Sequence, residues 1–400
     1  MERKKNKLWT FVILLFGVAI VAAMTMAWTA WAGNNEGKTP RPLAALPPGP
    51  HPGPADNPTT PEKAKLGELL FFEQRLSGDG STPCSKCHDP KQGWGTTDDL
   101  SIGYPGTQHF RNSHTVLNTG HLKKYFWEGR ATSLEAQAGG AAGGQSAGNL
   151  QFDIGEARMR QVPEYREMFM KVFGELPTWD NAARAIAAFQ RTLNSDPKVV
   201  PFDRYMNGDK SAMTPQQVKG MELFKGKANC IACHDGMMFT DEDHHNLGLP
   251  RNPAFDDDPL RQIELRFRMK SNGIQNYNEV DEDLGLYMAT HRTQDIGRFR
   301  TEKLRESKHT APYMHNGVFS TLEEVVEFYD KGGEEPGKFK GVKDPLMKPL
   351  ELTADEKKAL VAFLEALSSP ETPFKDINPV LPKDGIVTVD KKVVPLPAGK

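Results

Sequence analysis

The chain has 400 residues, of which 36 are glycine and 30 are proline, and 38% of its residues are hydrophobic. This composition is typical of a globular protein and excludes collagen-like, coiled-coil and wholly disordered chains. The 50 basic and 52 acidic residues nearly cancel to a net charge of −2, so nothing in the charge balance indicates nucleic-acid binding. The length is sufficient for two or three domains.

The first residues resemble an export signal. A basic start is followed by an uncharged apolar run from Leu8 to Ala32, and the run ends in Ala30-x-Ala32. The run is also long enough to span a bilayer as a helix. We predict that residues 1–34 are a signal peptide or N-terminal membrane anchor, which makes the protein periplasmic, either soluble or tethered to the inner membrane. The proline-rich residues 35–59 are predicted to be a linker.

The four cysteines stand in two copies of C-x-x-C-H, at residues 84–88 and 230–234. This pattern is the attachment signature of c-type haem. Its two thiols can form thioethers with the haem vinyl groups, and the adjacent histidine then meets the iron from one face. A zinc site would need ligands from both pairs to converge, and a thioredoxin-like motif does not need the histidine. We therefore predict two covalently bound haems c, attached through Cys84, Cys87, Cys230 and Cys233.

The chain around the two motifs repeats itself. Thr60-Pro61 and Thr214-Pro215 each open an apolar-striped helix that runs toward a haem motif. Further helices are predicted over residues 179–193, 321–329 and 354–367. The last two begin with capping boxes, Ser320-x-x-Glu323 and Thr353-x-x-Glu356. The predicted fold class is mostly α, with two cytochrome c-like haem domains packed face to face and long loops.

The sequence resembles the family of bacterial di-haem cytochrome c peroxidases and MauG-type enzymes. The resemblance covers about Thr60 to Leu367. It rests on both haem motifs and on Arg111-Asn112-Ser113, Phe126–Arg130, Gln137, Leu304-Arg305 and Thr310–Gly317. It implies an N-terminal, peroxidatic haem domain at 60–205 and a C-terminal, electron-transfer haem domain at 206–372. The Lys- and Pro-rich tail at 373–400 is predicted to be a C-terminal arm.

The resemblance also implies roles for single residues near the irons. His88 and His234 correspond to the proximal iron ligands, and His315 to a histidine beside the second haem. Trp127 corresponds to a tryptophan that lies between the haems and relays electrons. Taken without the resemblance, Trp127 would be read as an ordinary core aromatic, since buried tryptophan is common.

The distal ligand of the second haem separates two subfamilies. In register with the family, Tyr329 stands where the cytochrome c peroxidases carry a methionine and the MauG-type enzymes a tyrosine. A phenolate stabilises high-valent iron better than a thioether does, because the axial ligand is a main determinant of haem potential. The alternative is that Tyr329 packs with Val325 and Val326 and that Met314 or another methionine binds the iron.

Around the first haem the chain departs from the family pattern twice. Tyr104 replaces a histidine that can cover the distal side of the iron. Gln137 corresponds to a residue that orients the peroxide. A glutamate is expected about ten residues later, where it would move the proton during O–O cleavage, and Ala147 stands in its place. The glycine-rich residues 139–148 are predicted to be a mobile loop, either a gate or merely exposed. The candidate replacement acids are Glu135, Asp153 and Glu156.

The function implied by the resemblance is that of a periplasmic di-haem c-type peroxidase. It would reduce hydrogen peroxide with electrons from a small c-type cytochrome or cupredoxin, or use the peroxide to oxidise a side chain of a partner protein. The alternative is a non-catalytic di-haem electron carrier, which Ala147 favours. The implied cofactors are two haems c and one calcium ion at Asn112, Thr310 and Pro312, whose amide and carbonyl oxygens suit that cation. A simple turn is the alternative for these three residues.

Overall fold

The computed structural model describes residues 39–104, 106 and 109–383. Within these ranges the chain forms thirteen α-helices and one two-stranded antiparallel sheet, which confirms the predicted mostly α fold class. The strands are β1 (His244–His245) and β2 (Phe299–Arg300). The helices are α1 (Pro61–Phe71), α2 (Cys84–Cys87), α3 (Leu134–Ala142), α4 (Phe152–Arg160), α5 (Pro163–Phe173), α6 (Trp179–Gln190), α7 (Pro201–Met206), α8 (Pro215–Lys225), α9 (Pro253–Asp256), α10 (Pro259–Ser271), α11 (Tyr287–Thr290), α12 (Leu322–Lys331) and α13 (Ala354–Ala366).

The helix starts predicted from capping residues are largely confirmed. Thr60 and Thr214 cap α1 and α8 with their side chains, and each helix has proline in its first turn. Thr353 forms the predicted capping box of α13 with its Glu at the third helical position. The capping box of α12 was predicted one residue too early: the cap is Thr321, which pairs with Glu324. The reason is that Glu324 Oε2 accepts from the backbone N–H of Thr321 at 3.1 Å.

The glycine-rich run is more regular than its composition predicts. Residues 139–142 belong to α3, so the loop prediction is wrong for the first four positions. The remaining residues fold back on the end of the helix. Gly148 N donates to Ala141 O at 3.1 Å, and Gly78 N donates to Gly148 O at 2.8 Å. The run therefore forms an ordered turn that is held at both ends by backbone hydrogen bonds.

The sequence repeat extends to a repeated helix crossing. In the first half α1 packs across α6, and in the second half α8 packs across α13. Each crossing occurs at a glycine. A Cβ added at Gly67 would lie 1.8 Å from Ala185 O, and one added at Gly220 would lie 1.9 Å from Ala359 O. The close approach of the two helices in each half therefore requires the absence of a side chain at that position.

Two large hydrophobic cores surround these crossings. The first lies around α1, α4, α5 and α6 and includes Trp94 and Tyr165. The second lies around α8, α12 and α13 and contains four phenylalanines in edge contact, Phe202, Phe224, Phe239 and Phe363. Because Phe202 belongs to the second core, α7 packs with the second half of the chain.

Both ends of the described chain pack on these halves. Residues 42–59 of the predicted linker contain no helix or strand, and Leu43 is buried in the second core. After α13 the chain returns to the first half, where Trp94 Nε1 donates to Pro373 O at 3.0 Å. Ile377 packs against the first core. The beginning of the predicted C-terminal arm therefore completes the first half.

The segment from α9 to α11 was not predicted as an element of the fold. It forms a small core of its own in which Leu265 of α10 and Met288 of α11 pack with Phe110. Arg261 Nη1 at the start of α10 donates to His109 O at 2.6 Å. These contacts therefore hold α10 against the chain around residues 109 and 110.

The predicted signal or anchor at residues 1–34 lies outside the described residues. Among the helices of the described ranges, none is long and apolar enough to cross a membrane.

We predict that Gly67→Ala and Gly220→Ala each lower the free energy of unfolding by about 2 kcal/mol, because the new Cβ overpacks a helix crossing. In an exposed helix the same change would instead be stabilising, since alanine is the better helix former. Chemical denaturation of the purified holoprotein measures the effect. Glu222→Ala, on the exposed side of α8, is the control and should change stability by less than about 0.5 kcal/mol. Stability equal to that of the control in both glycine variants would contradict the prediction.

Candidate active site

Each haem motif lines a cavity of its own. Cys84, Cys87 and His88 line the first cavity, which has a volume of about 200 Å³. Cys230, Cys233 and His234 line the second cavity, which has a volume of about 550 Å³. The two cysteine pairs do not converge, and among the described residues no three His, Cys, Asp or Glu side chains come together in a metal-binding group. The arrangement thus fits two separate haem attachments and does not fit a shared zinc site.

The two motif histidines are oriented in the same way. His88 Nδ1 lies 3.3 Å from Trp94 O, and His234 Nδ1 lies 2.9 Å from Phe239 O. Trp94 and Phe239 both have a left-handed backbone, with φ of 60° and 56°. A bond from Nδ1 to a carbonyl fixes the ring and leaves Nε2 for a metal. Burial lowers the pKa of His88 to about 4, so its imidazole is neutral, as iron coordination requires.

The far side of the second cavity offers two kinds of iron ligand. Tyr329, near the end of α12, lines this cavity together with Met314. Burial and the nearby thiols of Cys233 and Cys230 raise the pKa of Tyr329. Within the described residues its hydroxyl makes no hydrogen bond. Tyrosine and methionine both reach the cavity, and the phenol is free to bind.

One wall is shared by the two cavities. It consists of Phe110, Trp127, Arg300, Glu302 and Lys303, each of which lines both cavities. The Trp127 indole is fixed by a hydrogen bond from Nε1 to Asn112 O at 2.9 Å. Its ring stacks on His114 at a centroid distance of 4.0 Å and meets His315 edge-on at 6.1 Å. Trp127 therefore lies between the cavities, in contact with a histidine on either side.

The charged residues of this wall compensate one another. Burial alone would raise the pKa of Glu302, but Lys303, His114 and Arg300 hold it well below its ordinary value. Glu302 Oε2 lies 2.9 Å from His114 Nδ1 and 2.7 Å from Arg300 Nη2. Neither His114 nor Glu302 is predicted as a site residue from the sequence. The only sequence signal for His114 is its position directly after the Arg-Asn-Ser motif.

A second buried ion cluster lies beside the wall. Arg111 Nη2 donates to Asp283 Oδ1 at 2.9 Å, and Arg111 also pairs with Glu128. Burial opposes ionisation of Glu128, but Arg111 and Arg130 prevail and lower its pKa to about 2. The carboxylates that line the first cavity are therefore ionised and paired, so they are not proton donors near neutral pH.

The predicted residues of the first cavity are only partly brought together. Gln137 of α3 and Ala147 of the following turn both line the cavity. Tyr104 N donates to Ala147 O at 2.8 Å. The Tyr104 ring, however, packs beside Gly78 and is not part of the cavity wall.

The three acids predicted to replace the glutamate do not reach this cavity. Glu135 lies on another face of α3, where its Oε1 accepts from Asn57 Nδ2 at 2.6 Å and Arg191 Nη2 at 2.7 Å. Glu156 Oε1 accepts from the backbone N–H of Trp179 at 2.9 Å, and Asp153 is exposed. The structure thus corrects this prediction, because one short helix cannot turn Glu135 and Gln137 to the same side.

The residues predicted to bind calcium lie near one another. Asn112 N donates to His315 O at 2.8 Å, which joins Asn112 to the segment that contains Thr310 and Pro312. The Asn112 side-chain nitrogen donates to Asp98 O at 3.0 Å. In the described ranges no donor bonds to Asn112 Oδ1 or to the carbonyl oxygens of Thr310 and Pro312. Three oxygens are therefore available to a hard cation.

The chain is similar to known proteins along most of its length. The pattern of the family described as di-haem cytochrome c peroxidase matches residues 61–211. The chain is 50% identical over 366 residues to the cytochrome-c peroxidase IdrP1 of Pseudomonas sp. (strain SCT), covering 91% of this chain and 94% of that protein. It is 36% identical over 322 residues to the methylamine utilization protein MauG of Methylorubrum extorquens, covering 80% and 81%. The crystal structure of a MauG-like protein associated with microbial copper homeostasis matches with a TM-score of 0.68 and 29% identity, over 82% of this chain and 94% of that one.

We predict that replacing Cys84 and Cys87 together with alanine removes one haem per chain, and that the same change at Cys230 and Cys233 removes the other. The reason is that each pair lines only one cavity. Pyridine haemochrome absorbance and the mass of the intact protein measure the haem content. Loss of both haems from one pair of substitutions, in a protein that remains folded by circular dichroism, would contradict independent attachment.

Proposed function

The chain belongs to the di-haem cytochrome c peroxidase family and is an oxidoreductase that acts on hydrogen peroxide, and we propose that it reduces peroxide in the first cavity with electrons that arrive through the second. The family implies two haems c, which supply the iron for peroxide reduction and electron exchange. The proposal rests above all on the wall between the cavities, where one tryptophan borders both. A carrier that only passes electrons would not need a cavity with a free polar side chain such as that of Gln137.

Trp127 is proposed to relay electrons across the wall. Its ring is rigidly held, because Nε1 is bonded to Asn112 O and one face stacks on His114. Phe110 also borders both cavities. The indole is the more easily oxidised of the two rings, so it is the better relay. The neighbouring charges of Arg300, Glu302 and Lys303 are paired with one another, which keeps the electrostatic environment of the relay fixed.

Peroxide is proposed to bind beside Gln137. The side-chain amide can both donate and accept, so it can orient a peroxide molecule in the first cavity. The Tyr104 ring packs beside Gly78 and does not line this cavity. We therefore expect the first haem to be accessible to peroxide in the fully oxidised protein, without prior reduction.

A second candidate function is oxidation of a side chain on a partner protein, as in the MauG-type reading. The observation that favours it is the free hydroxyl of Tyr329 in the second cavity. A tyrosine ligand favours a more oxidised iron, and such a centre can take electrons from a protein side chain. In the peroxidase reading the electrons come instead from a small c-type cytochrome or cupredoxin.

Three further properties are part of the proposal. The protein is periplasmic, soluble or tethered through residues 1–34. One calcium ion binds the free oxygens of Asn112, Thr310 and Pro312 where the two haem domains, 60–205 and 206–372, meet. The interface role of the ion follows from the bond between Asn112 and the segment that follows Thr310.

The first test is to add one equivalent of hydrogen peroxide to the diferric protein lacking residues 1–32, followed by stopped-flow absorbance and low-temperature EPR. Rapid loss of a high-spin ferric signal supports peroxide reduction in an open first cavity. Reaction only after one-electron reduction contradicts the open site but keeps the peroxidase. No reaction in either state contradicts enzymatic function and leaves the electron carrier.

We predict that Trp127→Phe slows electron exchange between the haems by more than about tenfold, equivalent to roughly 1.4 kcal/mol in the barrier. Haem content and the initial peroxide reaction should be unchanged, because the first cavity keeps its other residues. Flash reduction of the second haem, followed at the first, measures the exchange rate. Trp179→Phe is the matched control, since Trp179 stacks on Phe152 and lines neither cavity. Equal rates in the two variants would contradict the relay.

We predict that Tyr329→Met raises the reduction potential of the second haem, because a thioether stabilises ferrous iron better than a phenolate does. Spectroelectrochemical titration measures the potential, and EPR reports the change of ligand. Met314→Leu separates the two candidate ligands and should leave both readouts unchanged. A changed spectrum in Met314→Leu with an unchanged spectrum in Tyr329→Met would identify the methionine as the ligand.

A further inference from the structure

Glu264 on α10 is a buried carboxyl without a full set of partners. Only 7% of the residue is exposed, and its Oε1 has no hydrogen-bond partner among the described residues. The Ser146 hydroxyl and the Arg268 guanidinium act on the carboxyl, and each lowers its pKa. A buried carboxyl oxygen without a partner is costly, so its retention requires a reason other than stability.

Glu264 lies directly behind the wall of the first cavity. Ser146, whose hydroxyl acts on this carboxyl, lines that cavity and is 3% exposed. Arg268, one turn further along α10, lines the same cavity. Ser146 is the neighbour of Ala147 in the chain, so the carboxyl approaches the position where the expected glutamate is missing.

The position of Glu264 is fixed from outside the helix. Arg261, one turn earlier on α10, donates to His109 O at 2.6 Å. Leu265 is fully buried in the small core that includes Phe110. These contacts fix the orientation of α10, and Arg268, which lies one turn from Glu264 on the same face, lines the first cavity.

Two other titratable groups that line the cavity, His109 and Glu128, are unsuited to giving up a proton. His109 lines the cavity, but its Nδ1 accepts from Arg111 N at 3.1 Å and burial lowers its pKa to about 3. Glu128 is ionised by its arginine partners. Burial raises the pKa of Glu264, and the Ser146 hydroxyl and the charge of Arg268 offset this only in part. The groups that face Glu264 are thus one hydroxyl, from the turn after α3, and one guanidinium, from its own helix.

We propose that Glu264, acting through the hydroxyl of Ser146, supplies protons to peroxide in the first cavity and so replaces the carboxyl that is absent at Ala147. The inference rests on the proposed function, in which peroxide is reduced in this cavity. Glu264 is a positioning residue and proton source behind the wall, and Ser146 is the group that faces the peroxide.

The overall step balances as follows. Hydrogen peroxide takes up two electrons and two protons, its O–O bond breaks, and two water molecules form. The electrons come from the protein donor by way of the second haem. The protons pass from the Glu264 carboxyl to Ser146 Oγ and on to the departing oxygen, and Glu264 is reprotonated from solvent.

The direct test is the rate of the peroxide reaction as a function of pH in full-length holoprotein variants. In the wild type the rate should fall as pH rises through the Glu264 pKa, because the proton is present below that pKa and lost above it. Glu264→Gln should slow the reaction by about a hundredfold and abolish this dependence. Glu264→Asp and the double variant Glu264→Gln with Ala147→Glu should recover part of the rate. Asp153→Asn removes an exposed carboxylate of the same half and should change nothing.

A readout independent of turnover is the infrared absorption of the carboxyl group. The wild type should have a protonated-carboxyl band that titrates with the rate, and Glu264→Gln should lack it. Ser146→Ala should keep the band but slow the reaction as Glu264→Gln does. If Glu264→Gln does not fold, the Ser146→Ala variant still tests the relay.

Several outcomes overturn the inference. Unchanged rate and pH profile in Glu264→Gln or Ser146→Ala contradict the relay while the peroxidase stands. Loss of the pH dependence in Glu135→Gln instead would transfer the role to Glu135. A wild type that does not react with peroxide in any redox state contradicts the proposed function itself, and the relay with it.

Discussion

The two cavities that contain the haem motifs share one wall, and the structure depends on how that wall is built. Five side chains form it, and three of them are charged. Isolated charges in such a place would be expensive to bury. The free-energy cost of burial is reduced because Glu302 is surrounded by two cations and an imidazole. The wall therefore contains a group of paired charges in place of separate ions. The wall also joins distant parts of the chain, because Glu302 pairs with His114 of the first half.

The fold around this wall uses the same packing arrangement in both halves of the chain. Each half must surround a flat, rigid cofactor with a short chain, and it does so by letting two helices cross without side chains between them at Gly67 or Gly220. The proximal histidines repeat the solution at a smaller scale. In both halves a left-handed residue aims its carbonyl at Nδ1, although one residue is Trp94 and the other Phe239. The orientation of the histidine ring is the same in both halves, although the residue that supplies the carbonyl differs.

Features that depend on a few adjacent residues could be predicted from the sequence, and features that depend on distant contacts could not. The haem motifs and the threonine caps are local, since a thiol pair or a capped helix needs only its own neighbours. Gln137 and Trp127 were found through resemblance, and their surroundings were not. Glu135 was misjudged because sequence proximity to Gln137 says nothing about which side of α3 each residue faces. Glu264 lies more than a hundred residues from Ser146 along the chain, and no local pattern connects them.

The tie between Trp94 and the chain beyond α13 has a consequence for biosynthesis. Trp94 holds His88 through its carbonyl and Pro373 through its indole, so one residue joins the iron-facing side of the first half to a segment near the C terminus. A polypeptide emerges from the ribosome N terminus first. The haem motif that is synthesised first therefore lacks part of its surroundings until Pro373, 279 positions after Trp94, has been made.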